Sequence, residues 1–158
     1  MTNAPSILLR LIKTTLLRPI KTIPLKLKGI VERGIGKGKH YVSIPEFKRY
    51  FKRLLGTEPY PGTLNVRLRK PVEGTLSHLE RLKKSSGISL EPFKKDGITY
   101  HTGTSLHCTV FAGREEIPGV LFFPEKTIHS PDVVEVIAGK RIMDLLSEGD
   151  LVEIEVKD

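Results

Sequence analysis

Three short stretches carry side chains whose type and spacing suit chemistry on a charged ligand. The first is "YPGTLNVRL" at 60–68, a Pro-Gly turn leading into a strand-like run that opens with Thr63, Leu64 and Asn65. On a strand, residues i and i+2 share a face, about 6.7 Å apart. The Thr63 hydroxyl and the Asn65 carboxamide therefore converge on one point. Both are neutral oxygen donors, and Mg2+ accepts such ligands while keeping several waters and taking substrate phosphates as well. With no carboxylate in the pair, free Mg2+ is held poorly. One ion held here arrives with a nucleotide that supplies the negative oxygens. The amide stands out because the chain has only two Asn, Asn3 and Asn65, and no Gln. The same pair also suits an Asx- or ST-type cap after Pro61-Gly62.

The second stretch is "RGIGKGKHY" at 33–41. Gly34, Gly36 and Gly38 alternate with Ile35 and Lys37, and Lys39 follows. Glycines at alternate positions let the backbone turn sharply and approach a ligand closely. Exposed N–H groups plus Lys37 and Lys39 would make a phosphate cradle; the bland alternative is a flexible hairpin connection. The stretch lacks Gly-Lys-Ser/Thr, and "YVSI" reads as a strand, whereas Walker and dinucleotide loops both open a helix.

The third is "PEKTIHSPDVVEVIA" at 124–138. Thr127, His129 and Ser130 crowd a polar turn before Pro131, and Glu135 interrupts an apolar strand. A carboxylate between Val134 and Val136 either faces solvent by ordinary alternation or meets a polar ligand. The five histidines show no metal-ligand spacing, and His101, His107 and Cys108 are at best half of a zinc site. Cys108, in the apolar run "SLHCTVFAG", reads as a buried inert thiol. A single cysteine forms no internal disulfide, which suits a reducing cytoplasm.

These residues need elements to hold them. "LKLKGIVERG" alternates as a strand, and "SIPEFKRYFKRLLG" is the clearest helix. There Pro45 sits in the first turn, Phe47, Tyr50, Phe51 and Leu54 recur at helical spacing, and Gly56 ends it. "TLSHLERLKK" reads as a short helix or turn. Hairpins are expected around Lys95-Asp96-Gly97 and around Gly113-Arg114-Glu115. "DVVEVIA" and "LVEIEV" are further strands, with a short helix in "KRIMDLLSEGD" between them. Many short strands with few helices argue for a small, mainly β barrel over a doubly wound sheet.

The chain of 158 residues is long enough for one domain with its own core. Its net charge of +8 suggests polyanionic company. Much of the excess sits in residues 1–28, which hold Arg10, Lys13, Arg18, Lys21, Lys26 and Lys28 and no acid. The opening "SILLRLIKTTLLRPIKTIP" is amphipathic, too short and too charged to span a bilayer, and has no small-residue cleavage site behind its apolar part. Residues 1–26 therefore read as a basic extension, helix or tail, and 27–158 as the domain. A basic β-barrel that binds nucleic acid without catalysis is the rival reading. It leaves the joint presence of Thr63, Asn65 and the glycine loop unexplained.

The ordered set "GIVERGIGKGKHYVSIPEFKRYFKRLLGTEPYPGTLNVRL" and "PGVLFFPEKTIHSPDVVEVIA" resembles the archaeal-type CTP-dependent riboflavin kinases over about 27–156. The resemblance implies a compact six-stranded cradle-loop barrel with a few short helices. It implies transfer of the γ-phosphate of CTP to riboflavin, giving FMN and CDP in a cytoplasmic enzyme, with a monomer favoured and no nucleic acid as partner. By the same resemblance, Gly34, Ile35, Gly36, Lys37, Gly38 and Lys39 match the nucleotide loop, and Thr63 and Asn65 match the Mg2+ ligands. Thr127 and Glu135 match flavin contacts, with Glu135 placed near the attacking hydroxyl. Lys140, Arg141, Ile142 and Met143, in "AGKRIM", match a second nucleotide segment more loosely. Some members carry an N-terminal winged-helix domain, for which 26 residues are too few.

Overall fold

A computed structural model of the chain describes residues 24–34, 37–69, 73–127 and 130–158. The strands are β1 (Leu25–Glu32), β2 (Leu64–Leu68), β3 (Ile88–Ser89), β4 (Phe93–Lys95), β5 (Ile98–Tyr100), β6 (Gly103–Ala112), β7 (Glu115–Pro124), β8 (Val133–Ala138) and β9 (Leu151–Val156). The helices are α1 (Lys37–Val42), α2 (Pro45–Leu55) and α3 (Glu73–Ser86), with a 3-10 turn at Ile142–Asp144.

Hydrogen bonding runs β6-β7-β8-β2-β1-β9, and β9 returns to β6. All these pairings are antiparallel, so the sheet closes into a six-stranded barrel, as the sequence led us to expect. Closure removes free edges that would otherwise invite pairing with other chains. Strand β6 is shared: Thr104 and Ser105 pair with β3, while 108–111 pair with β9. The small sheet β4–β5 is a hairpin turning at Asp96-Gly97, where both residues have positive φ (51° and 76°).

Period-two alternation decides what the barrel encloses. Leu27 and Val31 of β1, Leu64, Val66 and Leu68 of β2, Val134, Val136 and Ala138 of β8, and Val152, Ile154 and Val156 of β9 meet inside with Leu106, Cys108 and Val110 of β6. Gly29 is required where β1 crosses β2, because a Cβ there would stand 2.5 Å from the Arg67 carbonyl oxygen. Burial pushes the Cys108 thiol up to about 12, which agrees with an inert core role.

A second core lies on the outer face of β7 and β8. Val120, Phe122 and Ile137 point away from the barrel axis and are covered by Phe47, Tyr50 and Phe51 of α2 and Val42 of α1. The α2 helix begins with Pro45 in its first turn and ends at Gly56, whose φ of 73° suits glycine and whose N–H donates to the Lys52 carbonyl. The Tyr50 hydroxyl donates to the Ile88 carbonyl (2.5 Å) and shares a hydrogen bond with Ser105 Oγ (2.7 Å), fastening α2 to the sheet. This outer layer buries Asn65 on that face of β2 and Glu135 on that face of β8.

Two expectations need correction. The "YVSI" segment is not a strand: Tyr41 and Val42 end α1, and Val42 is 1% exposed against the outer core. Packing against Phe47 and Phe122 outweighs the β preference of Tyr and Val. The absence of a following helix is therefore no ground for setting the glycine loop apart from Walker loops; the missing Gly-Lys-Ser/Thr remains one. The "TLSHLERLKK" segment is helix and not turn, and it lies within α3, a helix of 14 residues whose Leu79 and Leu82 are buried.

Candidate active site

A cavity of about 460 Å3 opens on this outer face, within the size range of small-molecule sites. Its floor is a row of cross-strand partners. Asn65 of β2 stands opposite Glu32 of β1 on one side and Glu135 of β8 on the other, and Glu135 stands opposite Phe122 of β7. Alternation that sends Leu64, Val66, Val134 and Val136 inward sends Asn65 and Glu135 outward, under the helical cover. They are 3% and 7% exposed. Of the two alternatives for Glu135, solvent exposure is thereby excluded.

Gly34 and Gly38, on either side of the glycine loop, lie against this floor at contact distance. A Cβ on Gly34 would fall 2.4 Å from Asn65 Nδ2, and one on Gly38 would fall 2.5 Å from Thr63 Oγ1. Real Cβ atoms do not approach so closely, so a side chain at either position would have to displace Asn65 or Thr63. Thr63 precedes β2, which starts at Leu64. Asn65 Oδ1 is buried without a hydrogen-bond partner. A buried acceptor left empty costs about 1–3 kcal/mol, and a cation or donor brought by a ligand would relieve that cost.

The donor set fits Mg2+ that comes with substrate phosphates. Among the described residues no three His, Cys, Asp or Glu gather as a metal cage; Thr63 and Asn65 would offer an ion two neutral oxygens, and a ligand's phosphates would add negative charge. His107 is exposed and Cys108 buried on alternate faces of β6, which dissolves the zinc half-site.

Aromatic and basic residues complete the walls. Tyr41 packs on Phe122 (ring centroids 5.7 Å) and on Phe47 (5.6 Å). Its hydroxyl is buried, has no hydrogen bond of regular geometry, and faces the Glu135 carboxylate. Burial first, and the neighbouring negative charge second, push its pKa far above that of an ordinary tyrosine. From the β4–β5 hairpin, Tyr100 stacks on Phe93 (5.1 Å) and reaches the cavity with His101 and Thr102. Thr127 lines the same cavity. Lys39, Lys126, Lys140 and Arg141 bring positive charge to the walls. Lys140 is tied to Glu115, and Arg141 to Asp144 at 3.4 Å.

One cavity thus brings together Gly34, Gly38, Lys39, Thr63, Asn65, Thr127, Glu135, Lys140, Arg141, Ile142 and Met143. Ile35, Gly36 and His129 lie outside the described residues, and Lys37 is the first residue of α1. Ser130 and Asp132 do not join the floor; they bind Arg67 at the outer end of β2. Sequence reasoning missed Tyr41, Tyr60, Tyr100 and His101, all of which line the cavity. Tyr41 follows directly on the glycine loop, but reading that segment as a strand hid its direction.

A family model named CTP-dep_RFKase, described as domain of unknown function DUF120, matches residues 31–156. The chain belongs to this family of CTP-dependent riboflavin kinase domains. Among curated relatives, it is 34% identical over 134 residues to a riboflavin kinase of Archaeoglobus fulgidus, covering 84% of this chain and 54% of the relative. It is 33% identical over 134 residues to a riboflavin kinase of Halobacterium salinarum, covering 84% and 56%. To one of Pyrobaculum calidifontis it is 36% identical over 156 residues, covering 98% and 68%. The chain spans little more than half the length of the first two. The family match includes the glycine loop, both partners beneath it and the Glu135 strand. Among the described residues no helix is long and apolar enough to cross a membrane.

Proposed function

We propose that this chain phosphorylates riboflavin with CTP, giving FMN and CDP, and that residues 27–158 carry the activity. The observation that carries the reading is the buried, unpartnered Asn65 Oδ1 beside Glu135, with Gly34 and Gly38 pressed close on Asn65 and Thr63. The family match and the curated riboflavin kinases it resembles support the substrate pair.

Phosphoryl transfer depends on positioning and charge neutralisation more than on covalent chemistry. The backbone of 34–39 and the Lys39 side chain hold the triphosphate, with Lys140, Arg141, Ile142 and Met143 bounding the nucleotide end. Thr63 Oγ1 and Asn65 Oδ1 would hold Mg2+, which neutralises phosphate charge when bound. Thr127 and Glu135 hold the flavin's ribityl chain. Glu135 orients the terminal hydroxyl and takes its proton as the oxygen bonds to the γ-phosphorus. The bond from that phosphorus to the bridging oxygen breaks, and CDP leaves with the electron pair. Apolar walls from Ile44, Phe47 and Phe122 exclude water from the acceptor side. The enzyme so proposed works as a cytoplasmic monomer on small molecules, without nucleic acid.

The test is direct. Protein, riboflavin and Mg2+ are incubated with CTP, ATP, GTP or UTP, and FMN is separated by chromatography. FMN formed with CTP and not with the others supports the reading. Flavin binding without FMN from any triphosphate reduces the protein to a binder, and salt-sensitive oligonucleotide binding with neither result favours the nucleic-acid barrel.

A further inference from the structure

We propose that Tyr41 is a positioning residue for Glu135, its hydroxyl donating to the carboxylate and holding it toward the acceptor hydroxyl. The inference rests on the kinase reading for the role of Glu135, but the pairing itself does not.

The geometry converges from three sides. Phe122 stands directly opposite Glu135 in the β7–β8 register, and the Tyr41 ring packs on Phe122 with centroids 5.7 Å apart. Phe47 packs on the same ring at 5.6 Å and on Phe122 at 6.4 Å, so the three rings form one cluster that restrains the phenol. Both Tyr41 and Glu135 line the cavity, and both are largely withdrawn from water. A buried phenol needs an acceptor, and the Tyr41 hydroxyl has no regular partner elsewhere in the described residues. Glu135 is the negative charge beside it that helps burial to raise the phenol's pKa. A carboxylate on a strand has two flexible torsions beyond Cβ, and a rigid donor set by two aromatic contacts would restrict how the carboxylate turns. The arrangement has a consequence for α1. Its short helical turn, where a strand was expected, is what turns Tyr41 from solvent to the Glu135 side.

The experiment is a double-mutant cycle of Tyr41→Phe, Glu135→Gln and the pair, read in two ways. Turnover and KM come from steady-state FMN formation with CTP and Mg2+; thermal midpoints come from the ligand-free protein. The pairing predicts that Tyr41→Phe lowers kcat roughly tenfold to a hundredfold, the range of a hydrogen bond to a charged group, with KM for riboflavin changed little. It also predicts that Tyr41→Phe has almost no further effect in the Glu135→Gln background, and that the two substitutions couple in the thermal midpoints. Full kcat in Tyr41→Phe alongside a crippled Glu135→Gln overturns the positioning role and leaves the kinase reading intact. Full kcat in Glu135→Gln overturns the role given to Glu135, and the ligand-free coupling then decides the pairing alone. Additive thermal midpoints overturn the pairing.

Discussion

Asn65 and Arg67 stand two residues apart on β2, on the same outer face, in opposite settings. Arg67 is half exposed and fully engaged: its guanidinium binds the Glu32 carboxylate, Asp132 Oδ2 at 3.0 Å and Ser130 Oγ at 3.4 Å. Asn65 is almost fully buried, and its side-chain oxygen has nothing. Ordinary folding would favour the reverse, because burial raises the cost of an unmet acceptor and water covers an exposed one. A polar group that is satisfied where water could serve it belongs to the scaffold. A polar group left empty where water is excluded is a candidate to bind a ligand.

The sharpest way to break this comparison is Asn65→Ala. If the carboxamide serves the ligand, turnover falls on the order of a hundredfold or more, the scale of a misplaced reacting group. The ligand-free fold changes little, since the missing oxygen had no partner to lose. Leu64→Ala, one residue earlier on the inward face and 4% exposed, gives the mirror image: a loss of about 2–5 kcal/mol in stability. Thermal melts beside FMN formation check both. An Asn65→Ala protein that melts far below wild type would make the amide structural.

A finer cut comes from the glycines. In Gly38→Ala the new methyl meets Thr63 Oγ1 at 2.5 Å and Cγ2 at 2.8 Å, so either the threonine rotates or α1 lifts from the floor. Turnover is expected to fall roughly tenfold to a hundredfold, with a raised KM for the nucleotide. Gly74, inside α3, faces open space, and Gly74→Ala should leave turnover alone while adding up to about 1 kcal/mol of stability. Equal turnover in the two variants would show that the loop tolerates a side chain over Thr63.

What was legible in the sequence was whatever depends on neighbours along the chain. The alternation of β1 and β9 and the α2 helix between Pro45 and Gly56 follow from local period and spacing, and Thr63 and Asn65 line one cavity although Thr63 lies just before β2. The six residues of α1 do not, because a helix so short shows less than two turns of periodicity and takes its stability from packing. Glu135 was undecidable for a related reason: alternation alone says which face it takes. Only the placement of α1, α2 and the hairpin, far away in sequence, says that the face is covered. The arrival of Tyr100 and His101 from that hairpin at the same cavity is a long-range fact of the same kind.

The mildest test concerns the satisfied partner in the comparison. The Ser130 hydroxyl, and after it Arg67, hold the Asp132 carboxyl below its ordinary value of 3.8. A carboxylate with a lower pKa in the folded state than in the unfolded chain binds its proton less readily when folded. Its contribution is therefore complete above pH 3.8 and is lost as pH falls through the folded value. Melting wild type and Asp132→Asn from about pH 7 down to about pH 3 should show a constant gap that closes only at the acid end. Added salt should narrow the gap at neutral pH, because the Arg67–Asp132 pair is 46% and 32% exposed and open to screening. FMN formation at neutral pH should match wild type, since neither residue lines the cavity. Turnover in Asp132→Asn as low as in Asn65→Ala would mean that the exposed network sets the geometry of the buried floor, and the division between the two ends of β2 would fail.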